Sequence, residues 1–210
     1  MDGWLDARGR EMKRVALESA QLAPTFIGSW MIGRPSLCDE LVEYFEEHVE
    51  RQKEGITSTG KDLSVKDRVD ISINPNEVRL PGNEPIQAYI DNLHQCYTDY
   101  LAQWPFLENM GVNFEIGTFN IGRYLKGQHF QRVHCERSAL GTLHRVLAWM
   151  TYLNDVEDGG ETYFSHYDVA IKPRKGLTLI WPAEWTHAHQ GNVLRENAKY
   201  MITGWMHFPS

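Results

Sequence analysis

Residues 143–164, LHRVLAWMTYLNDVEDGGETYF, decide the fold. Two β-prone runs, 143–153 and 161–164, are rich in Val, Thr, Tyr, Trp and Phe, and between them an acidic segment ends in the paired glycines of a turn. In an extended chain such runs put successive side chains on opposite faces. The same texture continues on both sides, with runs at 114–124, 169–172, 177–181, 185–190 and 199–208 separated by glycine, proline and acidic residues. Short strands at regular intervals point to a mainly β sandwich or jelly roll.

Upstream of Phe114 the pattern changes. Residues 1–35 mix charged and apolar groups without a sustained period, are punctuated by Pro24, Gly28, Gly33 and Pro35, and read as an N-terminal arm. Ser36, followed by Leu37, Cys38, Asp39 and Glu40, has the form of a helix N-cap with acids in the first turn. Leu37, Leu41, Val42, Phe45 and Val49 then recur at helical spacing up to Gly55. The polar stretch from Gly55 to Asn83 predicts a long connection with one short strand around Val69 to Ile73. After Pro85 a second helix is predicted to about Gln103, burying Ile86, Tyr89, Ile90, Leu93, Tyr97, Tyr100 and Leu101. The expected organisation is one compact unit: an arm at 1–35, a helical support region at 36–113 packing on the barrel, and a β core at 114–210.

Composition narrows the function. The 210 residues are 42% hydrophobic and contain eight Phe, seven Trp and nine Tyr, enough for a sizeable core. A formal charge of -7 argues against nucleic acid or a membrane surface as partner, since both demand clustered Lys and Arg. Cys38, Cys96 and Cys135 form no CxxC pair, and their odd number fits a reducing compartment. The first residues lack a basic start followed by an apolar stretch, and no apolar run reaches the roughly 18 residues of a membrane span. A cytoplasmic protein is expected; nothing in the sequence sets its oligomeric state.

The chemistry lies in histidines and carboxylates. With nine His and 28 Asp plus Glu, about one His-x-Asp/Glu match is expected by chance, and three are present. His48-Val49-Glu50 falls in a helical run, where residues two apart point to different sides. His134-Cys135-Glu136 and His166-Tyr167-Asp168 fall on extended chain, where residues two apart share a face. Joined by a distant histidine such as His189, the first supplies two imidazoles and a carboxylate. That donor set leaves three positions open on a non-haem Fe(II). Lys199, Met201, Thr203 and Trp205 alternate onto one face of the last run, and a lysine on an apolar-patterned strand calls for an anion partner.

The β half contains, in order, Tyr124-Leu-Lys-Gly127-Gln-His-Phe130, His134-Cys-Glu136, Arg145, Tyr152-Leu153-Asn154-Asp155-Val156, Gly159-Gly160-Glu161-Thr162, His189-Gln-Gly191, Lys199 and Trp205. Over roughly residues 115–208 this resembles the catalytic domain of the Fe(II)- and 2-oxoglutarate-dependent oxygenases, in particular the prolyl 4-hydroxylase-like branch. The resemblance implies a double-stranded β-helix, a jelly roll or cupin-like barrel preceded by N-terminal helices. It also implies a dioxygenase that couples oxidation of 2-oxoglutarate to succinate and CO₂ with hydroxylation of a C–H bond, peptidyl proline being one such substrate and a small molecule another. Ascorbate serves related hydroxylases as a reductant.

By the same resemblance His134, Glu136 and His189 would bind Fe(II), and Lys199 would pair with the far carboxylate of 2-oxoglutarate, with Tyr124, Thr162 and Tyr152 adding hydroxyl groups. Arg145 and Trp205 would stand near the reacting substrate, Trp205 as a cap on the pocket. The family places this basic residue about ten positions after the distal histidine, which fits His189; His187, two residues further from Lys199, stays open as the alternate ligand. His166-Tyr167-Asp168 lies where the family has a surface connection. Glu136 departs from the commoner aspartate, and its extra methylene adds about 1.5 Å of reach. A cupin-like metal protein using His187, His189 and Glu196, and a non-catalytic jelly-roll binding module, are the alternatives.

Overall fold

In the computed structural model, residues 24–55, 60, 62–111 and 113–209 are described, with the backbone of two short strands nearer the N-terminus. The N-terminal half contributes β1 (Trp4–Leu5), β2 (Glu11–Arg14), β3 (Gly28–Met31), α1 (Ser36–Glu47), β4 (Lys53–Glu54), β5 (Val69–Ile73), α2 (Glu84–Gln103) and α3 (Phe106–Asn109). Strands then follow one another: β6 (Glu115–Ile116), β7 (Phe119–Leu125), β8 (Phe130–His134), β9 (Arg145–Tyr152), β10 (Thr162–Phe164), β11 (Val169–Ile171), β12 (Leu177–Pro182), β13 (His189–Gly191) and β14 (Ala198–His207). Among the described residues they form two antiparallel sheets. The larger runs β1-β2-β3-β12-β9-β14-β7-β5-β4, with β6 on the end of β14, and the smaller runs β11-β10-β13-β8. The pair makes the double-stranded β-helix, with the sheets facing each other rather than hydrogen-bonded into a closed barrel.

Strand alternation divides the interior into two cores. From the large sheet, Tyr124, Ala148, Met150, Tyr152, Leu177, Leu179, Trp181 and Met201 face the small sheet and pack with Phe164, Val169 and Ile171. Their neighbours Phe119, Ile121, Leu147, Trp149, Ile180, Ile202 and Met206 face the other way, onto Leu37, Leu41 and Phe45 of α1 and Ile86, Tyr89, Leu93 and Tyr100 of α2. The helices thus brace the back of the large sheet, while its front, with the small sheet, frames the site.

Local structure departs from the sequence-based expectation at four places. The segment read as an arm supplies β3, which pairs with β12 and buries Trp30, whose indole donates to Asp99 at 2.8 Å. Ser36 is the first helical residue rather than the cap; Pro35 holds the cap position and no side chain caps the helix. The helix ends at Glu47 and is followed by a 3-10 turn at Val49–Arg51. In the run 185–190, Trp185–His187 is a 3-10 turn and only His189–Gly191 is strand.

Candidate metal centre

His134 ends β8 and His189 begins β13, and the two are register partners across the small sheet. Each ring has its Nδ1 2.8 Å from a backbone carbonyl, that of Arg132 for His134 and that of His187 for His189. The carbonyl can only accept, so in each neutral ring Nδ1 carries the proton and Nε2 keeps its lone pair, the tautomer a metal ligand needs. Phe130 stacks on His134 at 3.9 Å between ring centres, and Phe164 and Trp181 pack on His189, so neither ring is free to rotate.

Glu136 completes the group. The sequence places it beside His134 on one strand edge, but β8 stops at His134 and Glu136 sits in the bend that follows. Its Oε1 lies 3.7 Å from His134 Nε2 and 3.4 Å from His189 Nε2. Cis donors each about 2.1 Å from a six-coordinate ion lie about 3 Å apart, so small shifts would close the set on one cation. Among the described residues these three form the group of His, Cys, Asp and Glu side chains able to hold a metal. Burial alone would raise the Glu136 carboxyl, but when protons rather than a metal occupy the two Nε2 atoms, hydrogen bonding and charge from His134 and His189 outweigh it and hold it well below its ordinary value. A carboxylate and two neutral imidazoles suit a divalent first-row ion such as Fe(II), and the residues fit that group.

Trp205 and Arg145 reach this centre from the large sheet. The Trp205 indole N–H donates to Glu136 Oε2 at 2.7 Å, which leaves Oε1 turned toward the imidazoles. Arg145 donates to the Glu136 carbonyl at 3.1 Å, stands 3.6 Å from Oε2, and lies 3.5 Å above the Trp205 ring. Trp205 therefore fixes the orientation of the Glu136 carboxylate. Arg145 stands beside the centre and is partly exposed.

A second polar cluster lies between the sheets. Lys199 is 2% exposed, donates to the Gly160 carbonyl at 2.8 Å and sits 4.4 Å above the Tyr124 ring. Burial first, then the charge of Arg68, push its amine down to about 7, against the pull of Glu161. Gly159 and Gly160 both adopt left-handed backbone, which glycine takes without steric cost, and a Cβ on Gly159 would lie 2.3 Å from the Val193 carbonyl. The turn predicted from the glycine pair thus carries the carbonyl that holds Lys199. Thr162 begins β10, with its Oγ1 2.7 Å from the Tyr152 hydroxyl. Tyr152, fully buried, also meets the Ile171 carbonyl at 3.2 Å, so it supports Thr162.

The competing histidines go elsewhere. The 3-10 turn breaks strand alternation between His187 and His189, and His187 Nε2 lies 2.8 Å from the Thr25 carbonyl with Tyr167 at 3.3 Å. His187 is thus absent from the donor group, and Glu196 of the cupin-like alternative is exposed. His166 is exposed against Trp185, and Asp168 accepts from Tyr163.

Sequence reasoning missed Lys66, Arg68 and Asp70. All three are buried, Arg68 against Tyr124, with Asp70 2.7 Å from Arg68 Nε and 3.1 Å from Lys66 Nζ. Their signal is the alternation Lys-x-Arg-x-Asp running into a predicted strand, which puts three charges on one face.

The chain is similar to known 2OG-Fe(II) oxygenases. The family model described as the 2OG-Fe(II) oxygenase superfamily matches residues 119–207. Prolyl 4-hydroxylase 2 of Arabidopsis thaliana is 23% identical over 203 residues, covering 82% of this chain, and the chain spans 64% of that relative's length. A Pseudomonas putida prolyl-4-hydroxylase superposes with a TM-score of 0.69 at 17% identity, covering 90% of this chain and 96% of that one. A prolyl hydroxylase from Trichoplax adhaerens, solved with a hypoxia inducible factor peptide fragment, gives 0.70 at 16% identity, covering 89% and 86%.

Proposed function

We propose that this chain, whose residues 119–207 belong to the 2OG-Fe(II) oxygenase superfamily in its prolyl 4-hydroxylase-like form, is a 2-oxoglutarate-dependent dioxygenase that hydroxylates a C–H bond of a peptide, with proline as the favoured target residue. The observation that carries the reading is the convergence of His134 Nε2, His189 Nε2 and Glu136 Oε1, each with its other polar atom already engaged, in a fold that also buries Lys199. When bound, Fe(II) supplies the activation of O₂ and the oxidation of an unactivated C–H bond, chemistry beyond any side chain.

The protein's own residues would bind and orient. Lys199 offers a desolvated ammonium for the far carboxylate of 2-oxoglutarate, with Tyr124 and Thr162 as hydroxyl partners. A charge-assisted bond of this kind contributes about 1.5–3 kcal/mol. Trp205 holds the Glu136 carboxylate in place, so a ligand oxygen does not swing away when the other positions fill. Phe130, Phe164 and Trp181 wall the imidazoles with apolar surface and limit water around them. Arg145, partly exposed beside the centre, is placed to meet a substrate carbonyl. Ascorbate is the reductant expected to keep the iron ferrous.

The test is succinate formation from 2-oxoglutarate under air with Fe(II), with and without proline-containing peptides. Succinate should form only with iron, rise with a substrate peptide, and fall at least about a hundredfold in His189→Ala. Equal succinate in wild type and His189→Ala would overturn the reading.

A further inference from the structure

We infer that Arg68 is a positioning residue of the cosubstrate pocket: held by Asp70, it fixes the Tyr124 hydroxyl as a hydrogen-bond donor aimed, together with Lys199, at the far carboxylate of a 2-oxo dicarboxylate. The inference rests on the dioxygenase reading above and assigns a role to charges which that reading does not use.

The argument begins with register. Arg68 immediately precedes β5, which pairs with β7 so that Val69 lies opposite Arg123, and β7 pairs with β14 so that Tyr124 lies opposite Lys199. Arg68, Tyr124 and Lys199 therefore succeed one another across three neighbouring strands, on the face that looks into the cleft. The Tyr124 ring is flanked by two basic side chains, with the Arg68 guanidinium carbon 5.5 Å from its centre and Lys199 Nζ 4.4 Å from it.

Proton direction follows from chemistry. A guanidinium has five N–H donors and no acceptor. Arg68 Nη1 lies 3.1 Å from the Tyr124 oxygen, so that oxygen accepts and the phenolic proton is left for another partner. Tyr124 is 3% exposed, and among the described residues no acceptor takes that proton. Asp70 holds the guanidinium from the far side by an ion pair at 2.7 Å, ionic rather than an aligned hydrogen bond, and lies against Gly122, where a Cβ would come within 2.6 Å of its Oδ1. A buried phenol proton without an acceptor is costly, and a bound carboxylate would accept it and give the protonated Lys199 amine its counter-ion.

The test compares two cosubstrates in two proteins. Under anaerobic conditions with Fe(II), the visible charge-transfer band of the chelated 2-oxo acid gives dissociation constants for 2-oxoglutarate and for 2-oxovalerate, which carries a methyl group in place of the far carboxylate. Arg68→Met should weaken 2-oxoglutarate about tenfold or more and leave 2-oxovalerate within about twofold. A merely structural role of the Arg68–Asp70 pair would weaken both ligands alike, and equal weakening, or none, overturns the inference while leaving the dioxygenase reading intact. No band in the wild type overturns both. Should Arg68→Met fail to fold, Arg68→Lys, which keeps the charge but cannot reach Asp70 and Tyr124 together, gives the same comparison.

A second readout is the proton balance. The groups facing the Lys199 amine are Arg68, the Tyr124 ring, the Gly160 carbonyl and Glu161, and an amine pushed down to about 7 must take up a proton to pair with the carboxylate at pH 8. Arg68→Met removes one cause of that depression, so calorimetry in buffers of different ionisation enthalpy should show less proton uptake than in the wild type. Unchanged uptake counts against the inference.

Discussion

Glu136 is the residue on which the centre turns. Its carboxylate touches both imidazoles and the Trp205 indole at once, and it does so from a bend just beyond β8 rather than from the strand. The extra methylene relative to aspartate is what spans that offset. Glu136→Asp should therefore weaken divalent metal binding about tenfold, read by titration with Fe(II) or Co(II), because a carboxylate withdrawn by about 1.5 Å loses Trp205 or the imidazoles. Binding as tight as in the wild type would show that the glutamate geometry is incidental. Lys199 yields a second prediction from its sign. Its folded value of about 7 lies below the usual 10.5, so between those limits the unfolded chain holds more protons and stability rises with pH. Lys66, pushed down to about 8 by burial, acts in the same direction. Without metal or cosubstrate, the urea midpoint should rise from pH 7 to pH 9. Lys199→Met should raise the midpoint at pH 7 and flatten the slope, whereas a midpoint falling with pH in the wild type would contradict the burial of a charged amine.

Elements were legible where one physical signal dominated. Val69–Ile73 and the helix after Pro85 follow from alternation and helical period, and the structure has strand and helix there. His134, Glu136, His189 and Lys199 stood out because scarce residue types recur at fixed offsets, and the structure gathers the first three into one group. What escaped depends on contacts far along the chain. Strand β3 is short and interrupted in pattern, and becomes a strand because β12 offers its edge. The 3-10 turn at Trp185–His187 reverses the side-chain alternation that would have kept His187 beside His189. Lys66, Arg68 and Asp70 went unnoticed in a polar stretch read as a connection with one short strand, because a single sequence does not reveal that their charges are buried. One packing feature can be tested at this scale. Gly204 lets β14 lie against Trp149 and Phe119, where a Cβ would come within 2.5 and 2.6 Å of them. Gly204→Ala should cost about 1–3 kcal/mol in urea unfolding. A change under about 0.5 kcal/mol would show that the helix-side core yields more readily than its close approach implies.

At the scale of the molecule, two sheets divide the work. The small sheet brings the two histidines, the large sheet brings Trp205, Arg145, Tyr124 and Lys199, and the helices brace the outer face of the large sheet. We propose that the arm at 1–35, the support region at 36–113 and the β core at 114–210 act as one unit, since strands from all three share the large sheet. Among the described residues no helix is long and apolar enough to cross a membrane. The central claim is that one cleft holds both a metal and a chelating 2-oxo acid. Its most direct measurement is the anaerobic visible spectrum after addition of Fe(II) and 2-oxoglutarate to the wild type and to His134→Ala, Glu136→Ala, His189→Ala and Lys199→Ala. A charge-transfer band is predicted in the wild type, none in the three ligand variants at matched concentrations, and one in Lys199→Ala only at higher 2-oxoglutarate. A wild type without the band, or a His189→Ala variant that keeps it, would contradict the account.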